Sequence, residues 1–159
     1  MQIRKATEDD LEALLALNAS IQQQHAEALP KIFRPVSRSH QTVETFRGFF
    51  KNPNSLMLLA EGTEPAGYLW AQFHSRPANW AFRELQTMYI QHTVVAPKFR
   101  RQGVGTLLMS AALDAAKAKG IERVELDVWS FNDEAKHFYA KHGFKTFNEK
   151  LALNIIKTS

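Results

Sequence analysis

The chain has 159 residues, 45% of them hydrophobic and 23% charged, and a formal net charge of +4. Those values suit a single globular domain, 1–159, long enough to bury a substantial core. They exclude several classes: the basic excess is small and dispersed, against nucleic acid as a partner; no run of about 18 apolar residues offers a membrane span; and the lack of cysteine removes disulfides, a thiol nucleophile and cysteine-ligated zinc.

Gln2 to Ala6 reads as a first strand and not as a signal core, which points to a cytoplasmic protein. Thr7-x-x-Asp10 is a capping-box variant that opens a helix with Leu11, Leu14, Leu15, Asn18 and Ile21 on one face. Pro30 and Pro35 bracket an irregular segment, and a second helix spans Gln41 to Lys51 before Asn52-Pro53-Asn54 breaks it. Ser55 to Ala60, Gly67 to His74 and Phe82 to Val95 read as successive strands, the first two joined by the Gly62-Thr63-Glu64-Pro65 turn.

Met88 to Val95 is apolar, β-branched and unbroken until Ala96-Pro97. Beyond it comes Arg100-Arg101-Gln102-Gly103-Val104-Gly105, and then Val104, Leu107, Leu108, Ala111, Ala112 and Ala115 at helical spacing, with Gly120 as the stop. The glycines therefore stand at a helix N-terminus, where backbone N–H groups lack intrahelical partners and attract anions. That attraction is worth roughly 0.3–1 kcal/mol per charge at an exposed end. Gly103 lets the backbone approach a phosphate closely, and Arg100 and Arg101 add positive charge. The loop is neither a Walker loop, because no Gly-Lys-Ser/Thr follows, nor a dinucleotide fingerprint, because G-x-G-x-x-G fails at Leu108.

Arg123 to Val128 reads as a further strand, followed by Asn132-Asp133-Glu134-Ala135-Lys136-His137-Phe138-Tyr139-Ala140-Lys141-His142-Gly143-Phe144. Asn132 is a good N-cap, the acidic pair and the basic pair match the helix dipole, and Ala135, Phe138, Tyr139 and His142 share a face. A last strand is expected in Leu151 to Ile155. The order β-α-α-β-β-β-α-β-α-β describes an α/β (α+β) domain, a mixed and mostly antiparallel sheet of about six to seven strands with helices on both faces.

The two motifs together resemble the GNAT superfamily of N-acetyltransferases, most firmly over Arg83 to Ala152. The family's Q/R-x-x-G-x-G/A reads here Arg100, Gly103 and Gly105, and its N-x-x-A-x-x-F-Y-x-x-x-G-F reads Asn132, Ala135, Phe138, Tyr139, Gly143 and Phe144. The resemblance implies direct transfer of an acetyl group from acetyl-CoA to a primary amine, of a small molecule or of a peptide or protein, in a ternary complex. It implies that Arg100, Arg101, Gln102, Gly103, Val104, Gly105 and Thr106 hold the CoA pyrophosphate. Val94 and Val95 would lend their backbone to the pantetheine arm, and Asn132 is a helix cap, a cofactor contact, or both. A homodimer, formed by strand exchange or helix packing, is implied by many relatives.

In the family, the residue matching Tyr139 protonates the departing CoA thiolate. A phenol near pKa 10 and a thiol near 8.5 differ by about 2 kcal/mol, a gap that local electrostatics can close. The alternative for Tyr139 is an amphipathic core residue beside Phe138. Relatives often carry a glutamate base on the fourth strand, yet Tyr89-Ile90-Gln91-His92-Thr93-Val94-Val95 holds no carboxylate. His92, Glu84 at the start of the strand, and a water chain ending at Gln91 or a carbonyl are the candidates for that base. Alternation puts His92 with Ile90 and Val94, unless a bulge resets the count. The missing carboxylate leaves open a non-catalytic acyl-CoA-binding or sensor module on the same fold. Six histidines form no metal-binding spacing; His137 and His142 lie about 140° apart around a helix, so no metal is expected. The acceptor would be walled by His25 to Pro35, with Trp70, Phe73, Trp80 and Trp129 as aromatic linings or as core. Lys31, Arg34 and Arg38 suit an acceptor carboxylate or phosphate, or are simply solvated.

Overall fold

The computed structural model describes residues 1–37 and 39–156 in two compact units, Met1–Asp127 and Val128–Ser159. Arg38 lies outside the described residues. In the first unit Gln2–Lys5 forms β1, Leu11–Ala28 α1, His40–Lys51 α2, Ser55–Glu61 β2, Pro65–Arg76 β3, Leu85–Val95 β4, Val104–Ala118 α3 and Arg123–Leu126 β5. The sheet order is β1-β2-β3-β4-β5, antiparallel throughout except for the parallel pair β4 and β5, which α3 connects. The second unit holds α4, Asp133–Lys141.

The mixed α/β class is as the element order predicts, with five strands among the described residues instead of six to seven. The strand expected over Leu151 to Ile155 does not form: residues 144–155 have no regular structure, and Leu151, Leu153 and Ile155 are exposed. Alternating apolar residues become a strand only when a neighbour completes the ladder and one face is buried.

The chain start is fastened by charge. The Thr7 N–H donates to the Asp10 carboxylate at 2.8 Å, and the Asp10 N–H donates to the Thr7 carbonyl at 3.0 Å, closing a 3-10 turn ahead of α1. Arg4 on β1 reaches the same carboxylate with two N–H groups at 2.8 Å, which holds its pKa below the usual carboxylate range.

One face of the sheet presents Met57, Leu59, Tyr68, Trp70 and Val94, covered by Leu11, Leu14 and Leu17 of α1 and Phe46 of α2. Val43, Phe46, Phe49 and Phe50 recur at helical spacing along α2, and the Phe49 ring stacks on Trp70 with centroids 3.7 Å apart. Alternation turns Leu56, Leu58 and Ala60 to the opposite face, and α3 lies against β2, β3 and β4. α3 buries Val104, Leu108, Met109, Ala112 and Ala116 and leaves Leu107 44% exposed. The buried stripe is thus rotated by about one position from the expected one, because a helix of mixed apolar residues can turn either of two adjacent stripes inward.

β4 carries an irregularity that matters for the site. Ala71 pairs with Ile90 and Trp70 with His92, so Gln91 is an extra residue, a β-bulge. Unbroken alternation would turn His92 away from Tyr89. The bulge instead sets Tyr89, His92 and Val94 on one face, beside their β3 partners Gln72, Trp70 and Tyr68.

Candidate functional site

β5 pairs with β4 only from Thr87 to Ile90. From Gln91 to Val95 that side of β4 has no strand beside it among the described residues. The Ala96 N–H donates to the Ala66 carbonyl at 2.9 Å, which sets the parity of the β3–β4 ladder. Val94 therefore directs its backbone groups to Tyr68, while Thr93 and Val95 direct theirs to the free side. Of the two valines expected beside the pantetheine arm, Val94 spends its backbone on the ladder and its side chain, 4% exposed, on the core, and Val95 turns its backbone groups to the free side. Thr93 turns its backbone groups to the same free side as Val95. The Thr93 Oγ1 is also buried without a hydrogen-bond partner among the described residues. Strand parity is invisible in sequence, which is why Thr93 escaped notice.

The strand leads into a 3-10 turn over Pro97–Phe99 and then the glycine loop. Arg100 donates from Nε to the Val95 carbonyl at 3.3 Å, bracing the strand end, and the Gln102 side-chain amide donates to the Lys98 carbonyl at 2.8 Å. Arg101 and Gly103 both have left-handed backbones, with φ of 63° and 82°. Such a φ at Arg101, a residue with a Cβ, is uncommon and marks a strained loop. A Cβ at Gly103 would meet nothing within 4 Å, so backbone conformation, and not crowding, calls for glycine there. The first bond of α3 runs from the Leu107 N–H to the Gly103 carbonyl at 3.0 Å. The N–H groups of Val104, Gly105 and Thr106 precede it and have no acceptor within the helix.

His92 is the titratable group that the bulge delivers to the α1 side of the sheet. Its Nδ1 lies 2.9 Å from the Tyr68 hydroxyl, which in turn donates to Asn18 Oδ1 on α1 at 3.0 Å. The Trp70 ring meets the imidazole edge-on at 5.1 Å. Burial first, and His25 on α1 second, pull the His92 pKa down to about 4. Glu84 is exposed in the loop before β4, eight positions from His92, a run of roughly 25 Å along extended chain. The structure does not bring Glu84 and His92 together.

Of the expected acceptor wall, His25 closes the last turns of α1 and its ring lies 4.8 Å from that of Phe33, while the side chain of Gln22 holds the Arg34 carbonyl at 2.7 Å. Trp70 belongs to the core, Trp80 is 99% exposed in the loop between β3 and β4, and Phe73 carries Lys119 over its ring. Gln72 and Gln91 bond through their amides at 3.1 Å, and the Tyr89 hydroxyl donates to the Asp127 carboxylate. These polar pairs, brought close by the bulge and by the end of β5, left no signal in the sequence.

In the second unit Asn132 caps α4, its Oδ1 accepting from the Ala135 N–H at 3.0 Å. Tyr139 packs its ring edge-on against Phe138 and Phe144 at 5.3 and 5.7 Å. Among the described residues no helix is long and apolar enough to cross a membrane, and no group of three or more His, Cys, Asp or Glu side chains gathers as metal ligands.

Comparison with known proteins matches residues 19–144 to the acetyltransferase (GNAT) family. An aminoalkylphosphonate N-acetyltransferase of Salmonella typhimurium is 35% identical over 77 residues, which are 48% of this chain and 46% of that protein. The chain thus spans less than half of that relative. A variant of the BH1408 protein of Bacillus halodurans superposes with a TM-score of 0.92 at 26% identity, over 98% of this chain and 100% of that one. An acetyltransferase of Clostridium acetobutylicum with acetyl-CoA has the same fold, with a TM-score of 0.70 at 20% identity over 97% of this chain and 96% of that one.

Proposed function

Because this chain belongs to the GNAT acetyltransferase family, we propose that it moves an acetyl group from acetyl-CoA to a primary amine, directly and in a ternary complex. Residues 1–159 act as one catalytic domain in this reading, and the family match crosses both compact units. The observation that carries it is the free side of β4, which leads through the Pro97–Phe99 turn and the glycine loop to the amide-rich N-terminus of α3. Strand edge and helix end are complementary to one elongated ligand, with an amide-bearing arm followed by a diphosphate.

Acetyl-CoA supplies that arm, the diphosphate and the thioester whose acetyl carbon the amine attacks. Thr93 and Val95 pair with the arm through their backbone. The N–H groups from Arg101 to Thr106 and the Thr106 hydroxyl hold the diphosphate. Arg101 adds charge, whereas Arg100 fixes the strand end through Val95. Asn132 commits its Oδ1 to the helix cap; a contact with the donor rests on the resemblance.

An alkyl amine is almost wholly protonated at neutral pH, a handicap of about 4 kcal/mol. His92 accepts a proton at Nε2 as the N–C bond forms, and Tyr139 gives its hydroxyl proton to the departing sulfur; solvent then exchanges both. Tyr139 holds this role through its place in the α4 motif. Lys31 and Arg34 beyond α1, with the acceptor named by the Salmonella relative, support a small amine that carries an anionic group. A homodimer, implied by the resemblance, and a cytoplasmic setting belong to the same reading.

One observation favours a second reading, an acyl-CoA-binding module without turnover. β4 has no carboxylate, and burial makes His92 a weak base. The two readings separate when acetyl-CoA is offered with pooled amines, aminoalkylphosphonates and amino acids first, then polyamines, aminoglycosides and peptides. An acetylated product detected by mass supports transfer and names the acceptor class. Tight acetyl-CoA binding without any product supports the module.

A further inference from the structure

We propose that Tyr68 and Asn18 are positioning residues that hold His92 in one tautomer, with the proton on Nδ1 and the lone pair on Nε2. The inference rests on the reading of His92 as the base and adds how that base is set.

Tyr68 is among the largest fully buried side chains, at 0% exposure, and its hydroxyl lies between Asn18 on α1 and His92 on β4. A hydroxyl has one proton to give. Tyr68 gives it to Asn18 Oδ1 at 3.0 Å. The contact with His92 Nδ1 at 2.9 Å is then a hydrogen bond only if Nδ1 carries the proton and Tyr68 accepts it. The proton chain runs from His92 to Tyr68 to Asn18, and the lone pair is left on Nε2. Nε2 makes no hydrogen bond to a described residue, so in this reading its lone pair is the one left for the acceptor's proton.

A phenylalanine at position 68 would fill the same core without a hydroxyl to satisfy. An unbonded hydroxyl there would carry the desolvation penalty of a buried polar group. Its two partners come from different elements, and one arrives only because the Gln91 bulge turns His92 to this face. The titratable groups acting on His92 are Tyr68 from β3 and His25 from α1. Burial pushes the Tyr68 phenol well above its ordinary range and draws His25 down, so Tyr68 stays a neutral hydroxyl at working pH.

The test is long-range proton–nitrogen correlation NMR of the full chain labelled with 15N-histidine, paired with steady-state kinetics. In the native protein the His92 signals should report Nδ1–H and an unprotonated Nε2. Asn18→Leu removes the acceptor, so the Tyr68 proton should swing to Nδ1 and invert the tautomer to Nε2–H. Tyr68→Phe should leave a mixture. In both, kcat should fall roughly two- to tenfold, the worth of one hydrogen bond, at unchanged KM for acetyl-CoA. A native spectrum showing Nε2–H, or a tautomer indifferent to Asn18→Leu, overturns the proposal. Native turnover in His92→Gln with the expected spectra would instead remove His92 as base, and the positioning role with it.

Discussion

Gly67 approaches β4 so closely that a Cβ on it would lie 2.4 Å from the Val94 carbonyl oxygen and 3.2 Å from the Val95 Cα. Both atoms are backbone, so neither can yield by a side-chain rotation. The glycine lets β3 press against the strand end whose outer side carries the Thr93 and Val95 groups. Gly67→Ala should push that end outward, lower stability by about 1–3 kcal/mol and weaken acetyl-CoA binding. Thermal unfolding and calorimetric titration check both effects, and native affinity would detach this strand end from the donor.

The two left-handed residues of the loop should respond in opposite ways. Gly103→Asp forces a Cβ into φ 82° and sets a carboxylate at the anion site, so acetyl-CoA affinity should fall at least about tenfold. Arg101→Gly relieves a φ of 63° and should raise stability by about 1 kcal/mol. It also removes a cation, so affinity should drop roughly two- to fivefold. A melting temperature that rises while affinity for acetyl-CoA falls is the signature to look for in Arg101→Gly.

His92 links the site to pH. With its pKa near 4 when folded and near 6.5 when unfolded, the unfolded chain binds more protons between those values. Stability is therefore complete above about pH 6.5 and is lost as pH falls toward 4, by on the order of 3 kcal/mol. His25, drawn down by burial, adds to the same sign. Urea unfolding at stepped pH should show this slope, and His92→Gln should flatten most of it. For the same reason turnover should not show a limb near pH 6.5 from His92; its acid limb should come closer to 4.

Tyr139→Phe removes one oxygen and keeps the ring that packs on Phe138 and Phe144. Acetyl-CoA affinity should stay native, while kcat falls by roughly 10²-fold, the usual worth of a general acid, most visibly toward high pH. Native turnover would remove Tyr139 from the chemistry.

The loop and the α4 cap were legible in the sequence because both are local. A left-handed glycine before an apolar helix and an asparagine three residues ahead of the N–H it caps are short-range geometry written in adjacent residues. The Leu151 to Ile155 segment shows the limit of that legibility, since its period-two pattern says nothing about whether a neighbouring strand is there to receive it.

What the sequence determined by itself is the order of elements as far as α4, the helix N-terminus at Gly103 and the family motifs, all of them properties of short stretches of chain. Only the tertiary structure decided which face His92 takes, that Thr93 and not Val94 stands on the free side of β4, and that Tyr68 and Asn18 lie beneath the imidazole. Those outcomes depend on register. A single extra residue at Gln91 reverses the direction of every group after it, and where that residue falls is set by how β4 packs against β3 and α1, which no local pattern records.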